Sequence, residues 1–270
     1  MNQLSDRINR LSYSQTFVMS NKVREMKALG IDVISLTIGE PDFDVPDHIK
    51  QAAHDAINEN YSHYSPVPGF LELREAVAEK LKRDNNLKYE PTQICISNGA
   101  KQAIINVLTA LINDGDEVIL PVPYWVSYHE MVKMVGGSSV FIKTSYENDF
   151  KITAEQLREA ITPKTKVLLY SSPCNPSGSY YTYDELKSLA EVIAENPHVT
   201  VISDEIYEYI NYETTHKSIA SFPEIYEQVA IINGMSKGFA MTGWRIGYSA
   251  CPQWLAKACD KVQGQMTSGA

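Results

Sequence analysis

The feature that most constrains this 270-residue chain is a hydrophobic period that switches repeatedly between two and about three and a half. Short runs rich in β-branched residues fall at Gln93–Ser97, Glu117–Leu120, Ser138–Ile142, Lys166–Ser171, Val199–Ser203, Val229–Asn233 and Arg245–Ala250. Helical spacings lie among them. Leu73, Val77 and Leu81 share one side of Leu71–Arg83, and Ile104, Ile105, Leu108 and Leu111 share one side of Lys101–Ile112. Further helical patterns cover Tyr183–Glu195 and Trp254–Gln263. Strands that alternate with helices of this length build parallel βαβ units. The strands are apolar on both faces, as a sheet covered by helices on both sides requires. The pattern predicts an α/β fold: a three-layer α/β/α arrangement around a mostly parallel seven-stranded sheet.

The first 45 residues read differently. They carry one helical pattern (Thr16–Leu29), one strand-like run (Val33–Gly39) and the turn-rich GEPDFDVP. The expected organisation is an N-terminal arm with part of a smaller lobe over residues 1–45, then one large domain over residues 46–270.

Charge and composition narrow the function. Asp and Glu number 33 against 24 Lys and Arg, a formal charge of −9. So acidic a chain is a poor ligand for nucleic acid or an anionic membrane, although a local basic pocket remains open. No apolar run approaches the roughly 18 residues of a spanning helix, and MNQLSDRINRL has no apolar signal core. Cys95, Cys174, Cys251 and Cys259 form no CxxC pair and read as reduced thiols, so a cytoplasmic location is expected. The six histidines include no HxxxH or HExxH, and no metal site is expected.

Ligands of open α/β sheets bind beyond the carboxyl ends of the strands. Asn98-Gly99-Ala100-Lys101 opens a helix after the first strand and reads either as an anion cradle or as a plain turn. Tyr124, Trp125 and Tyr128 follow the second, as stacking faces or as core. Asn175 sits in the rigid turn Pro173–Gly178, free to hydrogen-bond a ligand or only to make the turn. Asp204 directly follows a buried strand, where a carboxylate needs a partner: a ligand cation, a structural ion pair or a helix end. The segment Gly234–Tyr248 carries Ser236, Lys237 and Arg245 among glycines; Lys237 reads as a desolvated amine able to form a Schiff base, or as a surface lysine. A phosphorylated aromatic aldehyde with a ring nitrogen would use all five strand ends.

The segments GMSKGFAMTGWRIG, SNGAKQ, PYWVSY, NPSG, SDEIY and YSPVPGFLELR occur in the order and spacing of a known family. From about Leu29 onward the chain resembles the class I/II aminotransferases of the fold-type-I enzymes that use pyridoxal 5′-phosphate (PLP). It looks most like their bacterial aspartate aminotransferase branch. The resemblance implies that Lys237 holds PLP and moves the Cα proton, while Asp204 keeps the pyridine nitrogen protonated. It implies that Tyr207 and Asn175 contact the ring oxygen, and that Trp125 stacks on the ring. Gly99, Ala100, Lys101, Ser236 and Arg245 map to the phosphate region. Tyr64 resembles a tyrosine that reaches the other subunit's phosphate, which implies a homodimer. Gly39, Lys101, Trp125 and Asn175 fall at substrate-binding positions, with Lys101 at the one associated with the distal carboxylate of acidic substrates.

The implied activity is ping-pong transamination between amino acids and 2-oxo acids, with aspartate or glutamate against 2-oxoglutarate or oxaloacetate. A prephenate or aromatic aminotransferase, elimination at Cβ or Cγ, and PLP binding without catalysis are the alternatives. The large domain would be the PLP-binding one. The family's C-terminal part of the small domain, with an arginine that clamps the α-carboxylate, is expected to be missing from this sequence, and no residue here takes that role.

Overall fold

The computed structural model describes residues 3–270. Helices α1 (Asp6–Asn9), α2 (Gln15–Ala28), α3 (Asp47–Asn58) and α4 (Leu71–Asn85) precede the first strand, β1 (Ile94–Asn98). There follow α5 (Gly99–Leu111), β2 (Glu117–Val122), α6 (Ser127–Met134), β3 (Ser138–Lys143), α7 (Ala154–Ala160), β4 (Thr165–Ser171) and α8 (Tyr183–Ala194). The chain closes with β5 (Thr200–Asp204), β6 (Val229–Gly234), β7 (Ile246–Ala250) and α9 (Gln253–Gly264).

The seven strands form one sheet in the order β1-β7-β6-β5-β4-β2-β3. Pairing is parallel from β6 through β5, β4 and β2 to β3, whereas β7 runs antiparallel to both β1 and β6. The expected mostly parallel seven-stranded sheet is present, and β7 is its one reversed strand. No α-helix separates β6 from β7, so the chain turns back through residues 235–245 without a crossover, and β7 lies reversed.

Alternation along the strands splits the core into two layers. Ile96, Ile119, Leu168, Val201 and Ile231 face Leu81 of α4, Leu157 of α7 and Leu186 and Ile193 of α8. Cys95, Leu120, Leu169, Ile202 and Ile232 face Ile104 and Leu108 of α5, Tyr128 of α6 and Leu255 of α9. These residues are almost wholly removed from water. At about 25 cal/mol per Å² this burial is the main stabilising contribution to the fold. Two helices are started by reciprocal capping boxes, Thr153 with Gln156 on α7 and Thr182 with Glu185 on α8.

The strand-like run Val33–Gly39 is not a strand. It has no pairing neighbour, and Ile34 and Leu36 are exposed. β-branched composition favours a strand only where a partner edge exists. The described residues before α3 touch the rest of the chain at few points. The Ser12 N–H donates to Glu130 Oε2 of α6 at 2.8 Å, and residues 39–40 reach the segment after β6.

Candidate active site

The carboxyl ends of β1, β2, β4, β5 and β6 lie along one edge of the sheet, joined there by the start of β7. Asp204 is the last residue of β5 and is buried. Its Oδ2 accepts the hydroxyl of Tyr128 at 2.6 Å and its Oδ1 accepts the Ile206 N–H at 3.3 Å. Among the described residues no cationic side chain pairs with it. Burial pushes its carboxyl up to about 6, against the lowering effect of those two donors. Tyr128 is itself held edge-on by Trp125, with ring centroids 5.5 Å apart.

The turn after β5 also carries Tyr207, whose hydroxyl accepts the side-chain amide of Asn175 at 3.3 Å. Burial raises the phenol's pKa, and the Asn175 bond works in the opposite direction. Asn175 comes from the turn that follows β4, so adjacent strand ends deliver the pair.

An anion cradle forms where α5 begins. Gly99 has φ +77°, and a Cβ there would lie 2.3 Å from Nη2 of Arg245. Only glycine lets the guanidinium sit this close to the start of the helix. The first N–H groups of the helix, at Gly99, Ala100 and Lys101, have no intrahelical acceptor, and Asn98 gives them no side-chain cap. Arg245 holds its place through Nη1 to the Thr242 carbonyl at 2.9 Å and Nη2 to the Asn98 carbonyl at 3.5 Å. Its own φ of +59° is a conformation that costs a non-glycine residue of order 1–3 kcal/mol and clusters at functional sites. Ser236 is buried in the segment between β6 and β7 that also carries Lys237 and Arg245.

Lys237 is half-buried. Its Nζ donates to the Gly39 carbonyl at 2.5 Å and lies 5.8 Å from the Tyr207 ring centroid. Burial lowers its pKa; the Glu40 carboxylate opposes that and Arg245 reinforces it. Glu40 is tied in by the Thr242 hydroxyl at 2.8 Å. The Lys101 ammonium lies 4.9 Å over the Trp125 ring, and its pKa is lowered by burial first and by Arg245 second.

The structure thus gathers the sequence-derived candidates in three contacting sets: Lys237 with Gly39 and Tyr207–Asn175; Gly99, Ala100 and Arg245; and Lys101 with Trp125, whose ring meets the Tyr128 that holds Asp204. Tyr64 stands apart, 99% exposed. Sequence reasoning missed Tyr128 as the hydrogen-bond partner of Asp204 and Glu40 as the acid facing Lys237. For Tyr128 the available signal was its place in PYWVSY, three residues after Trp125 and so on the same side of a helical turn.

An open α/β sheet with titratable and aromatic side chains gathered at its strand ends is the class this chain falls in. The model of the family "Aminotransferase class I and II" matches residues 31–270, and the chain belongs to that family. It is 49% identical over 269 residues to a probable aspartate/prephenate aminotransferase of Rhizobium leguminosarum bv. phaseoli, covering 99% of this chain and 67% of the relative. It is 46% identical over 268 residues to the aspartate aminotransferase of Bacillus subtilis (strain 168), covering 98% and 68%. The structure of Thermus thermophilus aspartate aminotransferase with maleate superposes with a TM-score of 0.96 at 42% identity, covering all of this chain and 70% of that one. The chain therefore spans about two thirds of the length of these relatives.

Proposed function

We propose that the protein is a PLP-dependent aminotransferase acting on aspartate or glutamate and the corresponding 2-oxo acids, in the cytoplasm and as a homodimer. The observation that carries this reading is the half-buried Lys237 amine, its pKa lowered, beside the glycine-bounded cradle of Gly99 and Arg245.

Two features of the chain fit the cofactor. The cradle offers helix N–H groups and a guanidinium fork to a phosphate, in space that a Cβ at position 99 would fill. Asp204 is a buried carboxylate with no cationic partner among the described residues, and a protonated ring nitrogen would supply one. When bound, PLP supplies an electrophilic carbon and an electron-poor ring that stabilises charge developing at the amino acid's Cα.

Each side chain then has a defined task. Lys237 Nζ would hold the cofactor carbon and carry the proton at the substrate Cα, tasks suited to an amine of lowered pKa. Asp204, oriented by Tyr128, would keep the proton on the ring nitrogen. Tyr207 and Asn175 would bind the ring oxygen, and Trp125 would cover one ring face. Ser236, Gly99, Ala100 and Arg245 would fix the phosphate. Lys101, over Trp125, would meet the distal carboxylate of the substrate, with the Gly39 backbone near its α-carboxylate. Maleate, a four-carbon dicarboxylate, is the compound named with the Thermus structure. Tyr64, extended into solvent, would serve the site of a second copy. Relatives named aspartate/prephenate aminotransferase support prephenate as a further acceptor to test.

The test is the visible spectrum of the purified chain with PLP, before and after aspartate, with product analysis. A lysine-bound chromophore that converts with aspartate to the pyridoxamine form, with glutamate produced from 2-oxoglutarate, supports the proposal. Ammonia and pyruvate would point to elimination. A band that no amino acid alters would leave a PLP-binding protein without catalysis.

A further inference from the structure

The turn that carries Asp204 and Tyr207 also carries Glu205 and Glu208, both buried. With His216 they bring carboxylate and imidazole ligand atoms within 4.8 Å of one another, a spacing that could suit a cation. All four carboxylate oxygens are already engaged. Glu205 Oε1 accepts the hydroxyls of Ser203 at 2.9 Å and Ser218 at 2.6 Å, and Oε2 pairs with His216 Nε2 at 3.0 Å. Glu208 Oε1 pairs with the Lys80 ammonium of α4, and Oε2 accepts the Asn233 amide at 2.6 Å. Burial disfavours the charged His216, yet Glu205 outweighs it and holds the imidazole's pKa above its ordinary value. With every carboxylate oxygen already partnered, the cluster is a closed hydrogen-bonded network rather than an open metal centre.

Its placement gives it a use. The Asn233 Oδ1 accepts the N–H of Gly234 at 2.7 Å, and Gly234 ends β6 three residues before Lys237. The chain Lys80–Glu208–Asn233–Gly234 therefore ties α4, the turn bearing Asp204 and Tyr207, and the strand end that launches Lys237. The β5–β6 ladder sets Asp204 opposite Ile232, with the Glu205 N–H donating to the Ile232 carbonyl at 2.8 Å, and the Glu208–Asn233 bond carries that register beyond the ladder toward the Lys237 segment. Gly234 is pinned on its other side, since a Cβ there would lie 2.7 Å from the Gly247 Cα.

We propose that Glu208 and Asn233 are positioning residues that hold the Lys237 segment at a fixed offset from Asp204 and Tyr207. The inference rests on the reading of Lys237 as the cofactor lysine and adds to it the residues that set that lysine's place. A site held by such a supporting layer loses precision when the layer is cut, even if the fold survives.

The experiment compares Glu208→Ala, Asn233→Ala and Glu208→Gln with the unaltered chain. The apo proteins are followed by amide hydrogen exchange over residues 234–238, and the PLP-loaded proteins by the pH midpoint of their visible band. Cutting the tie should speed exchange there about tenfold and move the midpoint by roughly half a pH unit or more. Glu208→Gln, whose amide oxygen still accepts from Asn233, should restore most of both. Should Glu208→Ala not fold, Asn233→Ala, which leaves the Lys80 pair intact, carries the comparison. Unchanged exchange at residues 234–238 overturns the proposal, whatever the melting temperature does, and so does a glutamine variant as perturbed as alanine. An unaltered chain with no visible band would count against the cofactor reading alone, because the apo exchange comparison still decides the positioning claim.

Discussion

Replacing Asp204 by Asn should stabilise the protein without cofactor while disabling it with cofactor. The carboxyl's pKa rises from an ordinary 3.8 to about 6 on folding, with burial as the main cause. A raised carboxyl pKa means that the folded state binds the proton more tightly than the unfolded chain. The associated stability is present below pH 3.8 and is lost as pH rises through about 6. At about 1.4 kcal/mol per pKa unit, the buried charge costs about 3 kcal/mol at pH 8. Asn carries no charge, and its amide can meet both Tyr128 Oη and the Ile206 N–H, at a loss of about 1 kcal/mol for altered hydrogen bonds. The net expectation is about 2 kcal/mol of added stability at pH 8 and none at pH 4. Urea unfolding of both apo proteins at the two pH values reads this directly. A variant less stable than its parent at pH 8 would refute the reasoning, because Asp204 would then be compensated by a partner in the apo fold.

Further outcomes follow from neighbouring contacts. Tyr128→Phe deletes the 2.6 Å donor to Asp204; the carboxyl pKa should move further up, and the apo protein's loss of stability with rising pH, which sets in above pH 3.8, should extend to higher pH. Gly99→Ala forces a Cβ to within 2.3 Å of Arg245 at φ +77°; PLP affinity measured by titration should fall at least tenfold, with about 1–3 kcal/mol of stability lost in unfolding experiments. Lys101→Ala removes the ammonium over Trp125; steady-state kinetics should show a far larger loss with aspartate than with a neutral amino acid, and equal losses would remove Lys101 from the distal-carboxylate role.

Much of the sheet was legible because its strands are short, apolar on both faces and bounded by turn residues. Each of the seven lies within two residues of its expected position. The strand-end rule then led to Asn98–Lys101, Asn175, Asp204 and Lys237 without any knowledge of contacts. Helices α1, α3, α6 and α7 were not anticipated. α3 spends its sequence on Ala, His and Asp with only Ile49 and Ile57 as large apolar residues, α6 hides inside an aromatic cluster, and α7 is seven residues long. Val33–Gly39 failed for the opposite reason, since β-branched residues without a partner edge make no strand. The reversal of β7 depends on what connects it to β6, which a run of strand residues does not encode. Least legible were the contacts made across the fold. Tyr128 meets Asp204 across 76 positions, and Lys80 meets Glu208 across 128. No spacing rule relates such residues, so the groups that orient the site appear only once the sheet has brought them together.

The central claim is that Lys237 is the group that takes the cofactor. Incubating the chain with PLP, reducing with borohydride and mapping the peptides by mass spectrometry tests it most directly. The account predicts one stoichiometric phosphopyridoxyl label, on Lys237, that disappears in Lys237→Ala. A label spread over exposed lysines, or undiminished in that variant, would contradict it.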